Sequence, residues 1–396
     1  MKVLCYYPWI YLRSGIERTM LEHAKRSRHD VTFITNHFDA KGTFPEFSRF
    51  RVEQLPLRVS VRRSLRDVAV AALKISISQL GIVDHDVLLV HCDGLGNLVL
   101  FANHQEPAVC FCHTPLRIAY DSVYISKQCD GKKVHQRIIE NVGKVYRAID
   151  RRAWRHYDHV FFNSHEVRQR CRRFGLDLCK SSILRPGIDE RLSPESTCRE
   201  AFFLCAGRIM WTKNIESAIL GFGKAKTEKT ISEDMRLVIA GMVDKKSVSY
   251  LGDLKSLAAD RGDIIFIETP SDNELFDLYR RCFAFIFPAF NEDWGIVPLE
   301  AMLHGKVVIS SNMGGPKESV IPGKTGWLVN PNAEGIASGI KQCLDHEKEL
   351  DVMAEHCINR AKEFTWERFT LQMDDTIEMI SLASASSRMT EPKRTG

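Results

Sequence analysis

The sequence has no C-x-x-C pair, although it holds 12 cysteines in 396 residues. Scattered thiols without paired spacing argue against a zinc ribbon or a disulfide framework, and are read as reduced and buried. There is also no run of the ~18–20 apolar residues that a membrane helix needs. The longest attempt, Val68 to Val83, is broken by Lys74, Ser76, Ser78 and Gln79. The start, "MKVLCYYPWI", lacks a basic region ahead of a long apolar core, so no cleaved leader is expected and a cytoplasmic location is. The chain contains neither a P-loop lysine motif nor a G-x-G-x-x-G, which leaves a dinucleotide fold poorly supported. It has no nucleic-acid recognition motif and no aromatic platform, and nucleic acid is not expected as a partner. No single sign of charge dominates: the net value is +5, from 55 Lys and Arg against 50 Asp and Glu.

What is present is a repeated theme. The hydrophobic content of 44% and charged content of 27% are those of an ordinary globular chain. "MKVLCYYP" is a short buried-strand pattern, followed by a Gly turn, a helical pattern and a second strand, "VTFIT". That is a βαβ unit and implies a parallel sheet. "DVLLVH" (86–91), "AVCFCH" (108–113) and "HVFFNS" (159–164) continue it. The theme restarts with "AFFLCAG" (201–207), "RLVIAG" (236–241), "DIIFIE" (263–268), "FAFIFP" (283–288) and "VVIS" (307–310). The Pro, Gly and Ser content of 183–200 marks a linker. The expected class is α/β with two doubly wound Rossmann-like domains, 1–185 and 186–380, facing a central cleft. The last helix, 366–382, has the option of crossing back to the first domain, and 383–396 is expected to lack structure.

Ligands in such sheets bind outside the C-terminal strand edges, so the residues just after strands are the candidates. Arg208 and Lys213 follow "FFLCAG" at a strand-to-helix turn, with a helix starting near Asn214. Two fixed cations there suit a diphosphate. "RSGIERT" (13–19) offers Gly15, where a backbone could approach an anion at a helix start. "NEDWGIVPLEAMLHG" places Glu292 in a loop and Glu300 in a helix beginning near Pro298. Carboxylates accept hydrogen bonds from vicinal hydroxyls, and the Gly295–Ile296 amides suit a phosphate or sugar oxygen. "SNMGGPKES" adds a tight turn nearby. His113 ends a strand at its C-terminal edge; alone it reads as a packed or capping residue. "DHD" (84–86) has the look of a metal-binding D-x-D, but isolated carboxylates are ordinarily solvated. His91, Cys92 and Asp93 read as a polar strand end for want of a second cluster. "VRRSLRDVAVAALKI" (61–75) and "KKVHQRIIENVGKVYRAIDRRAWRH" (132–156) are basic and helix-periodic. Such faces are usually solvated, but two of them raise an anionic membrane surface as a partner.

The E-x7-E pair, the "GR…K" turn and "GGPKES…GKTGWLVNP" (314–331) together resemble the retaining glycosyltransferases of family 4, whose fold is GT-B. The resemblance spans nearly the whole chain, most strongly 201–331. "FFNSHEVRQRC" is similar to the segment closing the family's first domain, and "FTWERF" to the start of its last helix. The resemblance implies that Arg208 and Lys213 hold the donor diphosphate, Glu292 the donor-sugar hydroxyls and Glu300 the ribose. Gly15 would let a loop approach the phosphates, and His113 would line the sugar pocket. Trp294, Gly295 and Ile296 would complete the donor site. "SGIE" stands where many members have a Gly-Gly pair, and Trp294 where Phe or Tyr is common. "HTPLR…YD" also resembles bacterial surface-polysaccharide mannosyltransferases, with Arg117 and Asp121 meeting donor or acceptor or pairing with each other.

The expectation is therefore hexose transfer, with retention, from a nucleotide diphosphate sugar. GDP-mannose is favoured over UDP-sugars, and neither metal nor cofactor is needed. The acceptor is expected to be a saccharide or lipid-linked saccharide in surface polysaccharide, such as lipopolysaccharide, or glycoconjugate synthesis at the inner membrane face. A GT-B nucleotide-sugar isomerase of the 2-epimerase type and a catalytically silent nucleotide-sugar-binding protein are the alternatives.

Overall fold

A computed structural model describes residues 1–390 apart from 63, 105–106, 130–132, 190–198 and 245–246. The middle of the expected linker, Lys132 of the second basic segment and the last six residues of the tail lie outside the described residues. The chain forms two compact units, Met1–Pro186 with Trp366–Gly396, and Gly187–Thr365.

The first unit is built on seven parallel strands: β1 (Lys2–Tyr6), β2 (Asp30–Thr35), β3 (Val52–Gln54), β4 (Val87–Cys92), β5 (Ala108–Cys112), β6 (His159–Phe162) and β7 (Ser181–Ile183). Their spatial order is β3-β2-β1-β4-β5-β6-β7. The second unit repeats the plan with six: β8 (Phe202–Ala206), β9 (Arg236–Gly241), β10 (Ile264–Glu268), β11 (Ala284–Phe287), β12 (Val308–Ser311) and β13 (Gly326–Val329), in the order β10-β9-β8-β11-β12-β13. Strands covered on both faces must be apolar throughout. "VLLVHC" and "AVCFC" are accordingly buried at every position. The order reverses between β1 and β4 in one sheet and between β8 and β11 in the other. Such a reversal opens a crevice at the carboxyl edge, because the flanking connections run off in opposite directions.

One expected option is taken and two boundaries differ. The last helix, α6 (Trp366–Thr390), belongs to the first unit, the crossing the sequence left open, and the second unit ends at Thr365. Its Trp366, Phe369, Met373 and Ile377 are buried at spacings of three and four, the stripe one helical face presents. It is tied to α1 (Gly15–Arg26) and the residues after it by Arg26–Glu367, Arg28–Asp375 and Arg28–Glu378. Secondly, 383–390 continue that helix instead of lacking structure, since no Gly or Pro interrupts it before Pro392. Thirdly, the helix carrying Glu300, α5 (Ile296–Leu303), starts two residues before Pro298. Gly295 caps it at φ +84, a conformation that a side chain disfavours, and Pro298 sits within the first turn.

Candidate functional site

The site of the second unit lies at the β8/β11 reversal. After β8 the chain makes one tight turn (Trp211–Lys213) and then Asn214 adopts a left-handed φ of +54 before α4 (Ile215–Thr227). Asn214 tolerates this backbone because its amide is fully used: Nδ2 donates to Pro288 O at 2.9 Å and to Pro331 O at 3.0 Å. Phe290 N also donates to Thr212 O at 2.9 Å. The turn after β8 is thereby fastened to the loop after β11.

That fastening brings together residues far apart in sequence. Lys213 Nζ donates to Glu292 Oε2 at 2.7 Å and lies 5.2 Å from the Phe287 ring centre. Arg208 lines the same pocket with Lys213, Gly207, Phe287 and Pro288. The Gly-Gly turn fixes the other side of the acid loop. Gly315 N donates to Glu292 O at 2.8 Å, and Gly314 bridges Glu292 as a strand partner. A Cβ at Gly314 would stand 2.3 Å from Glu292 O, and one at Gly315 would stand 2.5 Å from Asp293 O. Only glycine lets these backbones meet.

Glu300 accepts from Tyr279 Oη at 3.1 Å. Burial, and then the charge of Glu300, push the Tyr279 phenol well above its usual value, so it remains a neutral donor. Tyr279 escaped the sequence reading because it lies on a preceding helix (Asp272–Arg281), outside any strand-end motif. His304 Nδ1 contacts Glu300 O at 2.8 Å and its ring stacks on Tyr279. Gly295 and Ile296 open α5, which has no side-chain cap on its first amides. Trp294, expected in the donor site, is buried and packs edge-on against Phe364 at 5.1 Å.

In the first unit, Gly15 is the first residue of α1, behind a Ser14 cap that accepts from Ile16 N. A Cβ there would meet nothing within 4 Å. His113 follows β5 and is buried; its Nε2 lies 2.9 Å from Nδ1 of His91, next to last in β4. Asn163 Nδ2 donates to His113 O at 2.8 Å. Burial, and then the proximity of His113 and His23, hold His91 well below the usual histidine value. Arg117 and Asp121 stand 3.7 Å apart, and Arg170 lies 3.8 Å from the same Asp121 oxygen. The "DHD" acids clamp the chain start: Lys2 Nζ meets Asp84 at 2.6 Å, and Lys2 N donates to Asp86 at 2.8 Å. Among the described residues no group of three or more His, Cys, Asp or Glu could hold a metal, and no helix is long and apolar enough to cross a membrane.

Two family models match adjacent parts of the chain: "Glycosyltransferase Family 4" over 13–192 and "Glycosyl transferases group 1" over 190–364. An α-1,3/1,6-mannosyltransferase ALG2 of Dictyostelium discoideum is 28% identical over 217 residues, covering 50% of this chain and 50% of that one. A serotype-specific mannosyltransferase WbdA of Escherichia coli is 27% identical over 172 residues, covering 42% and 20%. This chain thus spans half or less of the length of these curated relatives. Among solved structures, sucrose-phosphate synthase of Thermosynechococcus elongatus superposes with a TM-score of 0.76 at 18% identity, covering 97% of this chain and all of the other. HepE of Anabaena, in complex with UDP and glucose, gives 0.70 at 18% identity, over 96% and 100%. The shared architecture is the GT-B fold.

Proposed function

This chain belongs to the family 4 glycosyltransferases, and from that premise we propose that it moves a hexose from a nucleotide diphosphate sugar to an acceptor hydroxyl, with retention. The observation carrying this reading is the Lys213–Glu292 contact beside Arg208 at the carboxyl edge of the second sheet. Arg208 and Lys213 together carry one more positive charge than Glu292 neutralises, and that surplus suits an anion. A donor diphosphate gives Lys213 a second negative partner and frees Glu292 to accept hydrogen bonds from sugar hydroxyls. Arg208 adds planar, paired donors to phosphate oxygens. As the bond from the anomeric carbon to the phosphate oxygen breaks, charge grows on that oxygen, and both cations stabilise it without reorganising. The acceptor oxygen bonds to the same face of the carbon, and its proton passes to the departing phosphate. Glu300, oriented by Tyr279, accepts from the ribose hydroxyls. The family resemblance assigns Gly15 to the donor phosphates and His113 to the donor sugar.

GDP-mannose is the favoured donor, supported by relatives named as mannosyltransferases, with UDP-sugars next. The acceptor is a saccharide or lipid-linked saccharide in surface polysaccharide or glycoconjugate assembly. Support for a lipid surface comes less from α2 (Leu65–Ser76), in the first basic segment, than from α3 (Lys133–Trp154). Val134, Ile138, Val142, Val145 and Ile149 form an exposed stripe along it, Val134 being 74% and Val145 64% exposed. Lys133, Arg137, Lys144 and Arg152 are exposed on the same helix. Apolar insertion and roughly 1 kcal/mol per cation near an anionic surface act together there.

A thermal-shift panel of GDP-mannose, UDP-glucose, UDP-galactose and UDP-N-acetylglucosamine tests the donor, since a ligand of the folded state raises Tm. One donor stabilises the chain and loses its effect in Lys213→Ala; no shift with any of them overturns the reading. Donor turnover without acceptor would point to the isomerase instead. Sedimentation with anionic vesicles at low salt tests the lipid surface, and a chain that stays entirely in the supernatant removes it.

A further inference from the structure

Four buried polar side chains of the first unit surround one pair of aromatic rings. His91 lies next to last in β4, His113 follows β5, His23 lies on α1 and Asp374 on α6. The Phe111 ring lies 5.6 Å from His91 and 4.7 Å from His113. Phe369 lies 5.3 Å from Phe111 and 6.5 Å from His23. Two contacts are made at the ends of this group: His23 Nε2 with Asp374 Oδ1 at 2.8 Å, and His91 Nδ1 with His113 Nε2 at 2.9 Å. The second ring nitrogens, His23 Nδ1 and His91 Nε2, are buried and meet no hydrogen-bond partner among the described residues. Both side chains are 0% exposed. Packing alone would be served by apolar residues; two half-satisfied imidazoles flanking one ring pair call for a polar bridge.

The sense of the bonds follows from the acidic end. Asp374 is ringed by Ser27 Oγ at 2.9 Å and Arg28 N at 3.0 Å as well as by His23. Burial works against its charge, but His23 and these donors outweigh that and hold its carboxyl below the usual range. A carboxylate only accepts, so His23 Nε2–H is the donor. We propose that Asp374, His23 and His91, joined by one water between His23 Nδ1 and His91 Nε2, form a buried chain that fixes His113 as its Nε2–H tautomer. His113 Nε2–H donates to His91 Nδ1, and His91 Nε2–H to the water oxygen. The water donates to His23 Nδ1, and His23 Nε2–H to Asp374. Bonds of one sense polarise each other in the same direction. His113 Nδ1 keeps its lone pair and accepts from a hydroxyl. Asp374, His23 and His91 are positioning residues; that the hydroxyl belongs to the donor sugar rests on the function proposed above.

Nitrogen-15 spectra of the histidines in the intact chain, with no donor added, read the tautomer directly. In the wild-type chain His113 should be protonated at Nε2 and bare at Nδ1. Asp374→Asn should mix the two tautomers and lower donor turnover by roughly ten- to a hundredfold, mainly in kcat, the scale on which misorientation acts. A wild-type His113 protonated at Nδ1 overturns the proposal. So does a tautomer unchanged in Asp374→Asn or, if that variant does not fold, in His23→Gln. If the tautomer is as expected but His113→Ala keeps full turnover, the buried chain stands and the donor-side role of His113 falls.

Discussion

Lys213 Nζ and Glu292 Oε2 meet at 2.7 Å across 79 residues of sequence, with side chains 18% and 21% exposed. A pair this open to solvent adds little to stability, about 1 kcal/mol or less. The same lysine facing a departing diphosphate acts where charge develops, and loss of one such group costs about a hundred- to a thousandfold in turnover. Lys213→Ala is therefore expected to leave Tm nearly unchanged while turnover falls on that scale. Denaturation and donor turnover measured on one preparation check this. A large loss of stability with a small loss of turnover would make the pair a structural strut.

Two glycines at the proposed donor site should answer oppositely to alanine. At Gly314 a Cβ meets the Glu292 backbone at 2.3 Å and the residue holds φ +78. Gly314→Ala should cost about 3 kcal/mol or more, because neither backbone can give way. At Gly15 a Cβ meets nothing within 4 Å. Gly15→Ala should change stability by no more than about 1 kcal/mol, in the stabilising direction if at all, yet lower turnover by crowding the phosphates. Urea unfolding and turnover of the two variants separate a glycine kept by the fold from one kept for a ligand.

Tyr279→Phe removes only the hydroxyl that donates to Glu300 at 3.1 Å. A hydrogen bond to a charged group contributes about 1.5 kcal/mol, close to a tenfold effect. If Glu300 binds ribose, the change should appear as a roughly tenfold rise in donor KM with kcat nearly kept. Steady-state kinetics decide; a fall in kcat alone would move Glu300 away from ground-state binding.

Legibility in the sequence followed burial. Doubly covered strands such as "VLLVHC" and "AFIF" leave apolar runs that need no partner to be recognised. β3 and β7 were missed because runs of three residues, "VEQ" and "SSI", carry no periodicity, and β13 because "GWLV" was read only as part of the longer "GKTGWLVNP" motif. The span of α6 was misjudged because a polar tail with no Gly or Pro looks disordered until its neighbours are known. Of the candidate site, single-residue chemistry after a strand was legible at Arg208, Lys213, Glu292 and His113. Pairings were not: nothing local says that Lys213 reaches Glu292, that Gly314 and Gly315 exist to admit the Glu292–Trp294 backbone, or that Tyr279 holds Glu300. Among the strand-end residues His91, Cys92 and Asp93, His91 looked inert only because its partners, His113 and His23, lie on other elements.

His91 also predicts how the first unit responds to acid. Burial, and then His113 and His23, hold it well below the usual value of 6.5, so the folded chain takes up its proton less readily than the unfolded chain. Its contribution to stability is complete above about pH 6.5 and is lost as pH falls below that value, at about 1.4 kcal/mol per pH unit while only the unfolded chain is protonated. His91→Gln has no such proton to bind. Urea unfolding of both proteins from about pH 7.5 to about pH 5.5 should show the wild-type advantage shrinking with that slope below pH 6.5. A constant difference across the range would mean that His91 does not titrate on unfolding, and that the acid sensitivity of this unit arises at another buried group.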